Sequence, residues 1–267
     1  MNKPKLSNLS FYPIKSMRGH DLEHAQVEKM GLENDRRLMV VDPQGRFITQ
    51  REHARMALIT PFLQGNNLIL QSEGMEPLNL EILRSGKRLP VDIWSSKAVE
   101  SIDQGEKVAK WLSDFLEIPA RLVRIADGYQ RKISPEYAIQ PNDQVGFADG
   151  FPLLIISQES LDDLNSRLDN PIPMNRFRTN LVVSGTQPFA EDLWKRIRIG
   201  DVELALVKPC ARCNVPTINQ DTAESSKEPN TTLSKYRKID GKVMFGMNII
   251  PISTGYLQIG QTVEILE

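Results

Sequence analysis

From Leu38 to Arg51 the chain reads LMVVDPQGRFITQR, two runs of apolar and β-branched positions around a Pro-Gln-Gly turn, a pattern that predicts short strands. The pattern returns in NNLILQ and LEILRSGKRLPVDIW, so the first part of the chain reads mostly as β. The period then changes. In DQGEKVAKWLSDFLEIP, Val108, Trp111, Leu112 and Phe115 recur at helical spacing, acidic residues open the run and Pro119 lies just past its end. This predicts an amphipathic helix over 104–117, at the seam between two halves of the chain. A second helix is expected after Ser157, a candidate N-cap, with Leu161, Leu164 and Leu168 on one face. RTNLVVSG, IRIGDVELALVKP and TGYLQIGQTVEILE are again strand-like. Long β stretches with isolated helices argue for an α+β, mainly β, barrel-rich architecture instead of a regular βαβ fold.

A chain of 267 residues holds one large domain or two smaller ones. With 33 Lys plus Arg against 34 Asp plus Glu, no global attraction to nucleic acid or to an anionic membrane is built in, and any anion site has to be local. The N-terminus lacks the apolar run of a signal peptide, and no stretch approaches a membrane-spanning length. Two closely spaced cysteines are too few for a secreted disulfide scaffold, so a cytoplasmic location is expected.

Both cysteines, Cys210 and Cys213, stand in VKPCARCNVPTINQDT with Lys208 and Arg212 beside them. A C-x-x-C can be half of a zinc site, a redox dithiol, or one soft metal ligand with a neighbour. For zinc, the other available ligands are His20, His24 and His53, and His20 and His24 have a usable spacing. For a dithiol, the strand-like VELALV precedes the motif, but NVPTINQDT after it has Pro216 and β-branched residues where a helix would be expected. The flanking cations argue against two inert buried thiols.

FYPIKSMRG, GLENDRRLMVVDPQGRFITQRE, FADGFPLLIISQESLDDLNSRL, MNRFRTNLVVSG, WKRIRIGDVELALVKPCARC and KEPNTTLSKYRK, in this order, make nearly the whole chain resemble the MOSC proteins. The resemblance is to the branch that joins a MOSC N-terminal β-barrel domain, here residues 1–118, to a MOSC domain, here 119–267. That branch includes amidoxime-reducing molybdenum enzymes and bacterial hydroxylaminopurine-resistance proteins. It implies a molybdenum cofactor, a molybdopterin phosphate, with Cys213 as the protein's thiolate on the metal and Cys210 without an assigned role. A soft thiolate suits such a metal, and Arg212 and Lys208 would favour its deprotonated form. The resemblance also places Lys15, Ser16, Arg36, Asp149, Gly150, Arg178, Asn180 and Arg212 at the cofactor. Lys15 would bring an ammonium, Ser16 a hydroxyl, the arginines planar forks for phosphate or pterin oxygens, Asn180 an amide, and the Asp149–Gly150 turn a close backbone approach.

Two departures from the family pattern stand out. Asn219 occupies a position often acidic in relatives, so Asp221 is given no catalytic role, and the chain ends at Glu267 without the four-cysteine ferredoxin-like domain of some bacterial relatives. The implied activity is reduction of N-hydroxylated compounds, such as hydroxylaminopurines, hydroxylamines or amidoximes, to amines or amidines. A separate electron-donor protein, of ferredoxin or flavin type, would be needed. The alternative is a cofactor or sulfur carrier of the MOSC type, linked to pyridoxal phosphate enzymes, although no lysine is singled out as a Schiff-base partner.

Overall fold

The computed structural model describes residues 3–267. Its largest sheet has Lys5–Phe11, with His20–Leu22 at its outer edge, paired antiparallel to Leu181–Ser184. The order continues through Leu153–Ser157, Lys242–Pro251, Val202–Ala211, Arg196–Ile199 and Val263–Ile265. The sheet therefore draws strands from both sides of residue 118. Leu38–Val41 pairs with Arg121–Ile125, and His24–Glu28 with Gly255–Gln258, so the two parts of the chain are stitched together at further places. The architecture is mainly β, as the alternating runs predict.

Leu153–Ser157 shows why this sheet can lie at the centre. Its five residues are all buried: Leu153 and Ile155 enter the core with Leu6, Val183 and Ile249, while Leu154 and Ile156 enter a second core with Phe177, Leu233 and Phe245. A period of two with both faces apolar makes a strand covered on both sides.

Three α-helices are present among the described residues. α1 (Glu106–Leu116) buries Val108, Trp111, Leu112 and Phe115 against Met56, Leu68 and Leu122, on the stripe its spacing predicts. α2 (Gln158–Asn165) starts where expected, the Ser157 side chain accepting a hydrogen bond from the Ser160 backbone N–H. It ends three residues before Leu168, which still packs beneath it from outside the helix. α3 (Asn230–Tyr236) carries only a short apolar signal, with Leu233 buried.

One irregularity positions the site. Val202–Ala211 loses register against Lys242–Pro251 between Leu206 and Lys208 and again between Pro209 and Ala211. Such irregularities bend a strand and re-aim its end, and this end carries the cysteine motif.

Candidate active site

An open cleft forms where several strand ends meet. Lys15 and Ser16 follow Lys5–Phe11, Arg36 precedes Leu38–Val41, and Asp149 and Gly150 precede Leu153–Ser157. Arg178 and Asn180 lie before Leu181–Ser184, and Arg212 and Cys213 follow Val202–Ala211. All nine line this one cleft, together with Cys210 and Arg51.

The backbone holds several of these residues in conformations L-residues seldom adopt: Ser16 (φ +66°), Arg36 (φ +48°) and Arg178 (φ +54°) are left-handed. Strain of this kind persists where the surroundings over-determine it, and it concentrates at functional sites. Gly146 explains part of the constraint. A Cβ there would come within 2.9 Å of the Arg36 carbonyl oxygen, which also accepts the Phe147 N–H at 2.7 Å, so the 146–150 loop is locked onto Arg36. Gly150 is the opposite case, since an added Cβ would meet no protein atom within 4 Å. Beneath the loop, buried Arg131 donates to the carbonyls of Gly146, Ala148 and Asp149, each at 2.7 Å.

The cations fall into two groups. Arg36 and Arg178 lie over the buried Tyr12 ring at 4.4 and 4.3 Å from its centroid. Arg36 also donates to Asp35, to Asn180 Oδ1 at 3.1 Å and to the Arg178 carbonyl at 2.9 Å. Arg178 donates Nη1 to the Met17 carbonyl at 2.6 Å, whereas its Nη2 is buried with no partner among the described residues. Burial pushes this guanidinium down to about 10, with Tyr12 opposing and Arg36 reinforcing the shift. Arg212 donates to the Phe177 carbonyl at 2.8 Å, and its buried Nε likewise lacks a partner among those residues. A buried N–H left unpaired costs free energy, and both of these belong to arginines that line the one cleft.

Lys15 and Arg51 form the second group around Asp149. Lys15 Nζ donates to the Phe147 carbonyl at 2.9 Å and pairs with the Asp149 carboxylate. Arg51 reaches the other Asp149 oxygen at 3.5 Å and Trp94 Nε1 donates to the carboxylate at 3.1 Å. Burial works against ionisation of Asp149, but Lys15, Arg51 and the hydrogen bonds outweigh it and hold the carboxyl well below the usual carboxylate range. Burial pushes Lys15 down to about 8 against the opposing pull of Asp149. The unliganded cleft thus loses one positive charge as pH rises through about 8, while Asp149 stays ionised. Capture of inorganic phosphate, followed by calorimetry, should weaken severalfold from about pH 7 to about pH 9. A Lys15→Met variant should bind more weakly with a flatter profile, and an unchanged profile would remove Lys15 from the anion site.

The structure revises several expectations. The cation at the Cys213 thiol is Arg51, Nη1 lying 3.9 Å from Sγ, and sequence reasoning missed it. Arg212 turns instead to Cys210, with Nη1 at 3.1 Å from its Sγ, and Lys208 lies over the Tyr137 ring at 4.2 Å. The Asn180 amide is engaged by the protein: Oδ1 accepts from Arg36 and from the Leu154 N–H at 3.3 Å, and Nδ2 donates to the Ser10 carbonyl at 3.1 Å. Its observed work is to orient Arg36.

Both thiols are free, Cys210 half-buried and Cys213 exposed. His20 is tied to the Pro61 carbonyl at 2.7 Å and His24 lies beside Tyr256. No cluster of three or more His, Cys, Asp or Glu placed to hold a metal occurs among the described residues, which leaves the zinc alternative without its ligand set. The motif is followed by a single 3₁₀ turn, Val215–Thr217, where a thioredoxin-like dithiol would open a helix. Beyond it the chain is fastened to Arg18 and Gln50 of the N-terminal part. Arg18 donates to the Gln220 carbonyl at 2.6 Å and pairs with Asp221 at 2.9 Å, and the Gln50 and Gln220 amides bond each other at 3.0 and 3.2 Å.

Family models match residues 3–119 as a MOSC N-terminal beta barrel domain and residues 142–264 as a MOSC domain. The mitochondrial amidoxime reducing component 2 of Rattus norvegicus is 36% identical over 97% of this chain and 82% of its own length. The chain belongs to the MOSC family. The mitochondrial amidoxime-reducing component 1 of Homo sapiens is 34% identical to this MOSC protein over 98% of its chain and 82% of the human sequence. A solved structure, of the YUAD protein from Bacillus subtilis, covers 98% of the MOSC chain and 95% of its own at 13% identity and a TM-score of 0.45. No helix among the described residues is long and apolar enough to cross a membrane.

Proposed function

We propose that this MOSC protein is a molybdenum-cofactor-dependent oxidoreductase that reduces N-hydroxylated compounds to amines or amidines. The observation that carries the reading is the exposed Cys213 thiol on the wall of a cleft whose buried Arg178 Nη2 and Arg212 Nε have no protein partner among the described residues. A soft sulfur ligand and several arginines lining one cleft suit a sulfur-ligated metal on a phosphate-bearing pterin. The open space at Gly150 leaves room for backbone contact with the ligand. The names of the rat and human relatives, with this likeness along nearly the whole chain, support the substrate class. The division into an N-terminal barrel domain, 1–118, and a MOSC domain, 119–267, belongs to the same proposal, as does a cytoplasmic location.

In this reading Cys213 holds the metal, with the Arg51 guanidinium 3.9 Å from its Sγ. Arg178, Arg212, Lys15 and Ser16 hold the phosphate and pterin, Arg36 adds charge behind them, and Asn180 keeps Arg36 in place. When bound, the molybdenum centre supplies two-electron oxygen-atom abstraction from nitrogen. Burial pushes Lys15 down to about 8 beside an ionised Asp149, so its charge on the cleft wall depends on pH above neutrality.

The test is metal content together with turnover. Purified protein should contain molybdenum near one atom per chain and reduce 6-hydroxylaminopurine with reduced methyl viologen. Persulfide on a cysteine without turnover would favour the sulfur-carrier alternative, and zinc in place of molybdenum would overturn the reading.

In this reading a separate reductase supplies the electrons, the given sequence carrying no nicotinamide fingerprint, recognisable flavin motif or four-cysteine cluster set of its own. NADH alone should therefore give negligible turnover, and adding cell extract should restore it. Robust turnover with NADH and no extract would contradict the need for a partner.

A further inference from the structure

The cleft has a neighbour that the cofactor reading does not use. A wide groove lined by Phe47, His53, Asp92 and Trp94 adjoins it and shares Arg51 as a common wall. Trp94 lines this groove, at the turn joining Val91–Ile93 to Ser96–Val99, and reaches the cleft through its hydrogen bond to Asp149. It is 47% exposed, although Trp111 and Trp194 are buried.

An exposed indole is ordinarily loose, and this one is fixed three times over. Its backbone is left-handed at φ +53°, a costly conformation for a bulky residue. Its Nε1–H is spent on the Asp149 carboxylate at 3.1 Å. Its ring meets the Arg51 guanidinium at 4.5 Å and lies 5.0 Å from Phe47, tilted by 57°. Each contact also leads toward the reactive cleft, since Asp149 pairs with Lys15 and Arg51 reaches within 3.9 Å of Cys213 Sγ. An immobilised, partly uncovered aromatic ring separated from the Cys213 thiol by the Arg51 guanidinium is suited to stacking a planar ligand, because the rotamer entropy such a contact would otherwise cost is already lost.

We infer that Trp94 is a stacking platform that selects planar aromatic N-hydroxylated substrates, such as hydroxylamino bases and aromatic amidoximes, over small aliphatic hydroxylamines. The platform deepens the N-reductase reading and rests on it for the chemistry; the binding itself can be measured without turnover. Arg51 backs the ring, and its charge makes the uncovered π system a better partner for electron-rich heteroaromatic rings.

Two measurements on the purified holoprotein decide the matter. The first is tryptophan fluorescence. Because Trp111 and Trp194 are buried, the accessible emission belongs to Trp94, and benzamidoxime should quench it saturably while N-methylhydroxylamine does not. Trp94→Phe should remove the quenchable component. The second is selectivity, read as kcat/KM for 6-hydroxylaminopurine divided by kcat/KM for N-methylhydroxylamine. Trp94→Ala should lower this ratio about tenfold, chiefly through KM for the aromatic substrate, and Trp94→Phe should recover most of it. An emission that does not respond to benzamidoxime, or a ratio unchanged in Trp94→Ala, overturns the platform even if both substrates are reduced. Saturable quenching in a protein that reduces neither substrate upholds the platform and removes the N-reductase reading instead.

Discussion

Replacing Cys213 with serine is expected to abolish reduction of N-hydroxylated substrates, with a loss of more than about a hundredfold, the upper end of what changes merely outside a metal's ligands cause. The hydroxyl that replaces the thiol is a hard, weakly acidic donor and a poor substitute for a soft thiolate. Cys210→Ser should behave differently. Cys210 Sγ faces Arg212 Nη1 at 3.1 Å, a contact a hydroxyl can also accept, so activity and the metal's spectrum should survive largely intact. The two variants are compared by turnover with reduced viologen and by molybdenum spectroscopy. Equal loss in both would point to a dithiol in place of a single ligand.

Arg178→Lys should lower molybdenum content about tenfold while the protein stays folded. A lysine keeps the charge and can still reach toward the Met17 carbonyl, but it cannot present a second, rigidly placed N–H in the position of the unpaired Nη2. Arg178→Ala is the harsher test, because it also leaves the Met17 carbonyl without its donor and Tyr12 without one of its cations, which costs about 1.5–3 kcal/mol of stability. Metal content by elemental analysis and melting temperature by calorimetry separate the two effects. Full occupancy in the lysine variant would remove Arg178 from the cofactor site.

What could be read in the sequence was local. The stripe of Val108, Trp111, Leu112 and Phe115 specifies α1, because a 3.6-residue period needs no knowledge of the partner it packs against. Ser157 announces α2 because capping is a contact within three residues. α3 was missed: seven residues with Leu233 as the main buried anchor provide too little periodicity. Apart from Cys213, marked by its C-x-x-C motif, the candidate residues were legible only through the likeness of their motifs to a family. Taken singly, Lys15 or Arg36 is one charge among many.

The tertiary structure decided which group faces which. Nothing in TQREH marks Arg51, which comes to lie near Cys213 from 162 positions away in the chain. Neighbours in sequence proved misleading for the same reason. Arg212 and Lys208 flank the cysteines, yet a strand alternates its side chains and this one loses register twice, so Arg212 turns to Cys210 and Lys208 to Tyr137. Asn180 could be read as a ligand contact until the fold brought Ser10, Arg36 and the Leu154 N–H to its amide. Patterns within a few residues determine helices, strands and caps because their energies are local. The charge around Asp149, the freedom of Arg178 Nη2 and the fixed ring of Trp94 depend on segments far apart in the chain, and only the packing of those segments decides them.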